Sequence, residues 1–247
     1  MKKNRAIIFF SFIVVMECFC LWLVIILSKS KKNITFEGHF QKMFSMSHKI
    51  PTPFNEYVRQ NCGHTYSMQD PKVVWMTGLS GAGKTTLALA LEKKIREKGL
   101  FAIVLDGDIM RDGINRDLGF SASGRTENIR RTAEIAKLFA DQGLIVMCSF
   151  ITPQKSMRDM ARSIIGASRF IELFVNCPIE ICEQRDIKGL YEKARTGLIK
   201  EFTGVTAPYE IPENPDIEIH TDLMDINGSV EQITAWLLPR ISYSKPE

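Results

Sequence analysis

The segment GLSGAGKTT, Gly78 to Thr86, concentrates the residue types that handle phosphate. Gly78, Gly81 and Gly83 leave the backbone bare, so successive N–H groups can wrap phosphate oxygens while the following helix adds its positive N-terminal end. Leu79, Ser80, Ala82 and Thr86 fill out the loop, Lys84 has the reach and charge for terminal phosphates, and the Thr85 hydroxyl suits Mg²⁺. The spacing G-x-x-x-x-G-K-T is that of a phosphate-binding P-loop, and it predicts ATP as ligand with Mg²⁺ as the accompanying ion. By itself it supports nucleotide binding and phosphoryl transfer but selects no acceptor.

A second cluster, DGD at Asp106 to Asp108 followed by Arg111, closes the next apolar run. Two carboxylates there suit metal handling, assigned to Asp106 together with Thr85, and activation of an attacking hydroxyl, assigned to Asp108. Asp and Gly equally favour a turn with a helix N-cap, so the residue types leave both readings open. Ser149 ends a third apolar run where many P-loop enzymes carry a metal-binding Asp, which leaves Asp106 and Asp108 as the acidic substitutes. That pattern points to a kinase for a small molecule.

These loops require strands that end side by side. Lys72 to Thr77, Phe101 to Leu105, Leu144 to Ser149, Phe170 to Val175 and Asp216 to His220 are short apolar or alternating runs. Between them, Thr85 to Lys98, Thr126 to Asp141 and Ser229 to Leu238 carry apolar residues at helical spacing. The alternation predicts an α/β fold of the P-loop NTPase type, a mostly parallel sheet with helices on both faces. Ligands of such folds gather beyond the carboxyl ends of the strands, so the loops after Thr77, Leu105 and Ser149 should carry the chemistry.

Composition agrees with one globular catalytic domain plus an extension, since 45% of residues are hydrophobic and 24% charged. The net charge of +4 is spread along the chain without interleaved aromatics, which argues against a nucleic-acid surface. Cys62, Cys148, Cys177 and Cys182 fit neither a zinc pattern nor a disulfide framework; buried, unpaired thiols are expected at Cys148 and Cys177.

The stretch from Ala6 to Leu27, AIIFFSFIVVMECFCLWLVIIL, is long enough to span a hydrocarbon core of ~30 Å as a helix. It exceeds a signal-peptide core, and Ser28 to Asn33 offers no small-x-small cleavage site, so the sequence predicts a transmembrane anchor over residues 1–32 with basic flanks. Residues 33–70 read as a linker and 71–247 as the catalytic domain. Lys2, Lys3 and Arg5 balance Lys29, Lys31 and Lys32, so charge does not set the orientation. Consumption of ATP places the catalytic domain in the cytoplasm, membrane-anchored if the leader persists and freely cytoplasmic if it does not.

Five motifs in order, GLSGAGKTT, DGDIMRDGINRDLGF, ENIRRTAEIAKLFADQGLIV, CEQRDIKGLYEKAR and FTGVTAPYEIPENP, resemble the adenylylsulfate kinase family from about Val73 to the end of the chain. The resemblance implies transfer of the ATP γ-phosphate to the 3′-hydroxyl of adenosine 5′-phosphosulfate (APS), giving 3′-phosphoadenylyl sulfate, the activated donor of sulfate assimilation. It implies that Asp108 orients the sugar hydroxyl, that Arg111, Arg125 and Asn128 contact the substrate, and that Phe120 and Phe202 sandwich its adenine. Planar guanidinium forks suit phosphate and sulfate oxygens, and Asn128 follows Arg125 by three residues on one helix face. Ordinary core packing is the competing fate for Phe120. By the same resemblance Arg185 to Gly204 closes as a lid that excludes water, although Lys188, Arg195 and Lys200 also read as a solvated helix face.

The sequence departs from the family at three places. Gly124 replaces an Asp expected to cap the helix, a change expected to cost only a few tenths of a kcal/mol if glycine is the cap. Gln154 and Lys155 replace an aromatic or His and an Arg. Thr152 replaces a Ser treated in the family as a phosphorylated intermediate, so the catalytic set is Asp108, Lys84 and Thr152. These departures leave open a P-loop kinase with another nucleotide or sugar-derivative acceptor, and a membrane-tethered nucleotide-binding module without turnover. A homodimer is also left open.

Overall fold

The computed structural model of the chain describes residues 69–242 except Ile187. The expected transmembrane segment lies outside the described residues, and among those described no helix is long and apolar enough to cross a membrane.

Five strands pair in parallel in the order β2-β3-β1-β4-β5. They are β1 Val73–Thr77, β2 Ala102–Asp106, β3 Ile145–Ser149, β4 Phe170–Asn176 and β5 Ile217–His220. The helices are α1 Lys84–Glu97, α2 Gly107–Asp112, α3 Ala122–Asp141, α4 Lys155–Ile165, α5 Ile179–Arg185, α6 Leu190–Arg195 and α7 Ile226–Ile241. Strand β1 is central and buried along its whole length, which is why VVWMT is continuously apolar up to its last residue.

Alternation along β1 splits the core in two. Val74 and Met76 face Leu87, Leu91 and Ile95 of α1 and Ile233 and Leu237 of α7. Val73 and Trp75 face Ile129, Ala133, Ala136 and Ala140 of α3 and Met157 and Ala161 of α4. The three alanines of α3 let that helix approach the sheet closely. Leu91 is fully buried, so Leu91→Ala would cost about 2–5 kcal/mol. Cys148 and Cys177 are buried free thiols as expected, Cys182 is a third, and burial pushes the Cys148 thiol far above its ordinary range.

The five expected strands are present, each shifted by at most one residue at either end. The structure adds short helices that the sequence reading did not assign. One is α2, started by DGD with Asp106 as its N-cap, which bears out the turn-and-cap reading of that motif and leaves its carboxylates side by side at the strand end. Helix α3 starts four residues before the expected Thr126, with Ser121 rather than Gly124 as its N-cap, through Gly124 N to Ser121 Oγ at 3.2 Å. The expectation that glycine merely tolerates a capping position is therefore corrected. Gly124 lies inside the first turn, and a Cβ there would stand 2.5 Å from the Gly119 carbonyl oxygen.

Candidate active site

Loop 78–83 leaves the end of β1 at a backbone angle that excludes side chains. Gly78 has φ 152, and a Cβ there would lie 2.4 Å from the Val175 carbonyl oxygen. The next carbonyls are taken one after another by protein donors. Lys84 Nζ donates to Gly78 O at 2.9 Å and Leu79 O at 2.7 Å. Tyr191 Oη donates to Ser80 O at 2.9 Å, Arg185 to Gly81 O at 3.4 Å and Thr221 Oγ1 to Ala82 O at 2.8 Å. With five carbonyls engaged, and the N–H groups of Gly78 and Ala82 donating to Ile151 O and Leu79 O, the loop's remaining capacity is its other N–H groups, the arrangement that binds anions. Lys84 is buried, and desolvation lowers its pKa to about 8 against the opposing pull of Asp106 and Asp108.

Beside the loop, Thr85 Oγ1 donates to Asp106 Oδ2 at 2.7 Å and lies 3.2 Å from Ser149 Oγ. The other oxygen of Asp106 caps α2, accepting from Asp108 N at 2.9 Å and Ile109 N at 3.4 Å. Asp106 is buried, whereas Asp108, two residues on, is exposed and ion-paired with Lys188 from the turn between α5 and α6. Among the described residues no group of three or more His, Cys, Asp or Glu side chains could hold a metal. One carboxylate with hydroxyls suits Mg²⁺, which keeps waters and phosphates as its other ligands.

The residues expected to bind the acceptor come together unequally. The Arg111 guanidinium lies 4.4 Å over the Phe120 ring and donates to Gly119 O at 3.2 Å. Partial burial and the nearby charge of Arg125 lower its pKa. Phe120 is 66% exposed, which settles its competing reading against the core. Arg125 spans two segments, donating to Phe120 O at 2.8 Å, Thr203 Oγ1 at 2.9 Å and Glu201 O at 2.5 Å. Asn128 is buried, and its Oδ1 accepts from Asn115 Nδ2 at 2.9 Å. Phe202 is also buried, edge-on to Tyr191 with centroids 5.0 Å apart. The pair expected to sandwich an adenine thus consists of one open ring and one ring seated in the core.

Thr152 departs furthest from its expected role. It is 1% exposed, it has φ 43, and its hydroxyl accepts from Trp75 Nε1 at 3.0 Å. A hydroxyl facing a core indole is not placed as a reacting nucleophile. The lid stretch is ordered around Asp186, whose carboxylate accepts from Leu190 N, Tyr191 N and Glu192 N at 2.8–3.2 Å and so starts α6. Lys188 pairs with Asp108 and Arg195 with Glu183, so neither is simply a solvated face.

A family model described as Adenylylsulphate kinase matches residues 70–220. The chain belongs to the adenylylsulphate kinase family. It is 49% identical over 173 residues to the adenylyl-sulfate kinase of Bacteroides thetaiotaomicron, covering 70% of this chain and 86% of that protein. It is 53% identical over 165 residues to a probable adenylyl-sulfate kinase of Halalkalibacterium halodurans, covering 67% and 82%. The structure of the Mycobacterium tuberculosis APS kinase CysC in complex with AMPPNP and APS superposes with a TM-score of 0.66 at 44% identity, covering 68% of this chain and 98% of that one.

Within this adenylylsulphate kinase, Tyr191 and Thr221 brace the phosphate loop with no sequence signal of that role beyond the place of Thr221 directly after β5, while Arg185 and Lys188, expected as parts of a lid or a solvated face, fasten the loop and pair with Asp108.

Proposed function

We propose that the chain transfers the γ-phosphate of ATP to the 3′-hydroxyl of APS, giving 3′-phosphoadenylyl sulfate and ADP. The observation that carries this reading is the convergence of loop 78–86, the Thr85–Asp106 pair and Asp108 at neighbouring strand ends in a chain of this family. Loop N–H groups and Lys84 hold the phosphates of the donor. Thr85 and Asp106 would hold Mg²⁺, which would neutralise charge on the transferring phosphoryl group. Asp108 orients the 3′-hydroxyl and takes its proton as oxygen attacks phosphorus, and the bond to the ADP oxygen breaks in line.

Arg111 and Arg125 offer guanidinium donors to the phosphosulfate, and the exposed Phe120 ring offers its face to the adenine. Phe202 and Asn128 support the site from beneath, Phe202 with little more than an edge for the substrate. Thr152 shapes the β3–α4 loop and carries no phosphate. Lys188 must exchange Asp108 for substrate oxygens when APS enters. The kinase unit runs from residue 71, and the apolar run of residues 6–27 anchors it to a membrane.

Transfer of labelled γ-phosphate from ATP to APS, in competition with other nucleotide and sugar hydroxyls, tests the activity. A preference for any other acceptor would overturn it. Fractionation of the full-length chain tests the anchor, and recovery in the soluble fraction would remove it.

A further inference from the structure

One motif that marks the family resemblance, FTGVTAPYEIPENP, has given the site only Phe202, yet its PYE residues make a set of contacts with the catalytic ends of the sheet. The segment 202–211 forms a strap whose first residues, Phe202 and Thr203, are the ones tied to Tyr191 and Arg125. Farther along, Tyr209 Oη lies 3.0 Å from Thr77 Oγ1, the last side chain before the phosphate loop. Thr77 Oγ1 is 2.7 Å from Ile151 O and has one proton, so it donates there and Tyr209 donates to Thr77. Burial raises the Tyr209 pKa to about 12, keeping the phenol a donor at neutral pH. Its ring also stacks on Phe174 with centroids 6.3 Å apart.

Glu210 adds the second half. Its N–H donates to Pro153 O at 2.8 Å, and its carboxylate accepts from Lys155 N, the first residue of α4, at 2.6 Å. Two adjacent residues therefore tie the strap to β1 and to the loop between β3 and α4. Packing holds the start of the strap, where Phe202 and Thr203 are buried and Val205 lies on the core, more than its far end. A cavity of about 620 Å³ lies behind the strap, lined by Leu79, Phe174, Ile179, Val205, Tyr209 and Ile211 among others. With space on one side, the polar contacts at Tyr209 and Glu210 fix the far end of the strap, whose near end is seated by Phe202 in the core.

We infer that Tyr209 and Glu210 are positioning residues, a latch that holds the strap, and through Thr203 the Arg125 guanidinium, in place for the acceptor. The inference rests on the proposed reading of Arg125 and Phe202 as parts of the APS site. The latch bears on β1 at Thr77, whose backbone is locked in the centre of the sheet, while the strap meets the donor loop at Leu79, beside Gly204. Loosening its far end should therefore move the acceptor side most.

The test is steady-state kinetics of the full-length chain with Tyr209→Phe and Glu210→Ala, varying APS at saturating ATP and then the reverse, with thermal melting alongside. Tyr209→Phe removes the bond to Thr77 and keeps the ring, and Glu210→Ala removes the acceptor of Lys155 N while leaving the backbone bond to Pro153 O. The expected result is an APS KM raised about three- to tenfold, the scale of one hydrogen bond, with the ATP KM within about twofold. An unchanged APS KM in both variants overturns the latch. So does a parallel rise in both KM values with a lowered melting temperature, which would make the two residues general supports of the fold. Failure of the unmodified chain to use APS would instead sink the proposed function and is seen before any variant is made.

Discussion

On the donor side, one continuous stretch of chain makes the site, its glycines set by backbone approach and its carbonyls fastened by Lys84, Tyr191, Arg185 and Thr221. On the acceptor side, the groups come from α2, the turn after it, α3 and the strap, and the outermost, Asp108 and Phe120, are exposed. The donor loop is thus shaped by backbone geometry, with side chains fastening its carbonyls, and binds through N–H groups that no substitution removes. Each group proposed for the acceptor is itself a side chain that can be lost singly. Changes to the first should act on stability or on all nucleotide binding, and changes to the second on one substrate or one step.

The sharpest break between the two is expected at Asp108. Asp108→Ala should lower turnover about 10²- to 10⁴-fold, the range for losing a positioned base, with ATP affinity nearly unchanged. Equal losses in turnover and ATP affinity, measured by single-turnover kinetics and nucleotide titration, would return Asp108 to the donor side.

Next is the pH response of Lys84. With a pKa of about 8, the lysine loses its charge as pH rises, so ATP affinity should fall about tenfold between pH 7 and 9. Its stability effect has the opposite sign. The folded chain gives up this proton near pH 8 and the unfolded chain near 10.5, so in that window the unfolded state binds more protons and folding stability rises with pH. Calorimetric titration and denaturant melts across the range check both directions, and an ATP affinity flat from pH 7 to 9 would place the charge elsewhere.

Gly124→Asp, which restores the family residue, should raise the APS KM several-fold. The new Cβ presses on Gly119 O, next to the Phe120 carbonyl that orients Arg125. An unchanged APS KM would show that the 119–121 turn yields freely. The smallest catalytic effect belongs to Thr152→Val. Leaving the Trp75 N–H unpaired should cost about 1–3 kcal/mol of stability while turnover stays within about twofold, and in the unmodified chain no phosphate should appear on Thr152. A phosphorylated Thr152 after incubation with ATP would reverse that assignment.

The same division governed what the sequence made legible. The donor loop could be read outright because its chemistry is backbone chemistry at fixed spacing, β1 and β3 because they are buried along their length and apolar up to their last residue, and β4 because only Glu172 interrupts its apolar run before Asn176. Helices α2, α5 and α6 are six or seven residues long, too short to show a period. Arg158 is buried within α4, pairing Nε with Glu172 Oε1 at 2.9 Å, which hides that helix's inner face behind a charge. Phe120 and Phe202 look alike in sequence, and only the packing against Tyr191 separates the buried ring from the open one. The depth of Thr152 and Asn128 depends on partners 77 and 13 residues away, Trp75 and Asn115, which no local spacing reveals.

The central place of β1 has a consequence during synthesis. Both of its neighbours come later in the chain, the nearer in sequence, β3, beginning at Ile145 and the other, β4, ending at Asn176. At about 5–20 residues per second, the ribosome needs on the order of 4 to 14 s after making β1 before β3 exists to pair with it. Until then VVWMT is an unpaired apolar strand, and the loop that follows has no Ile151, Val175 or Arg185 to shape it. Nucleotide capture by the nascent chain would therefore mark the completion of the sheet, and the interval before it is when this strand most needs shielding.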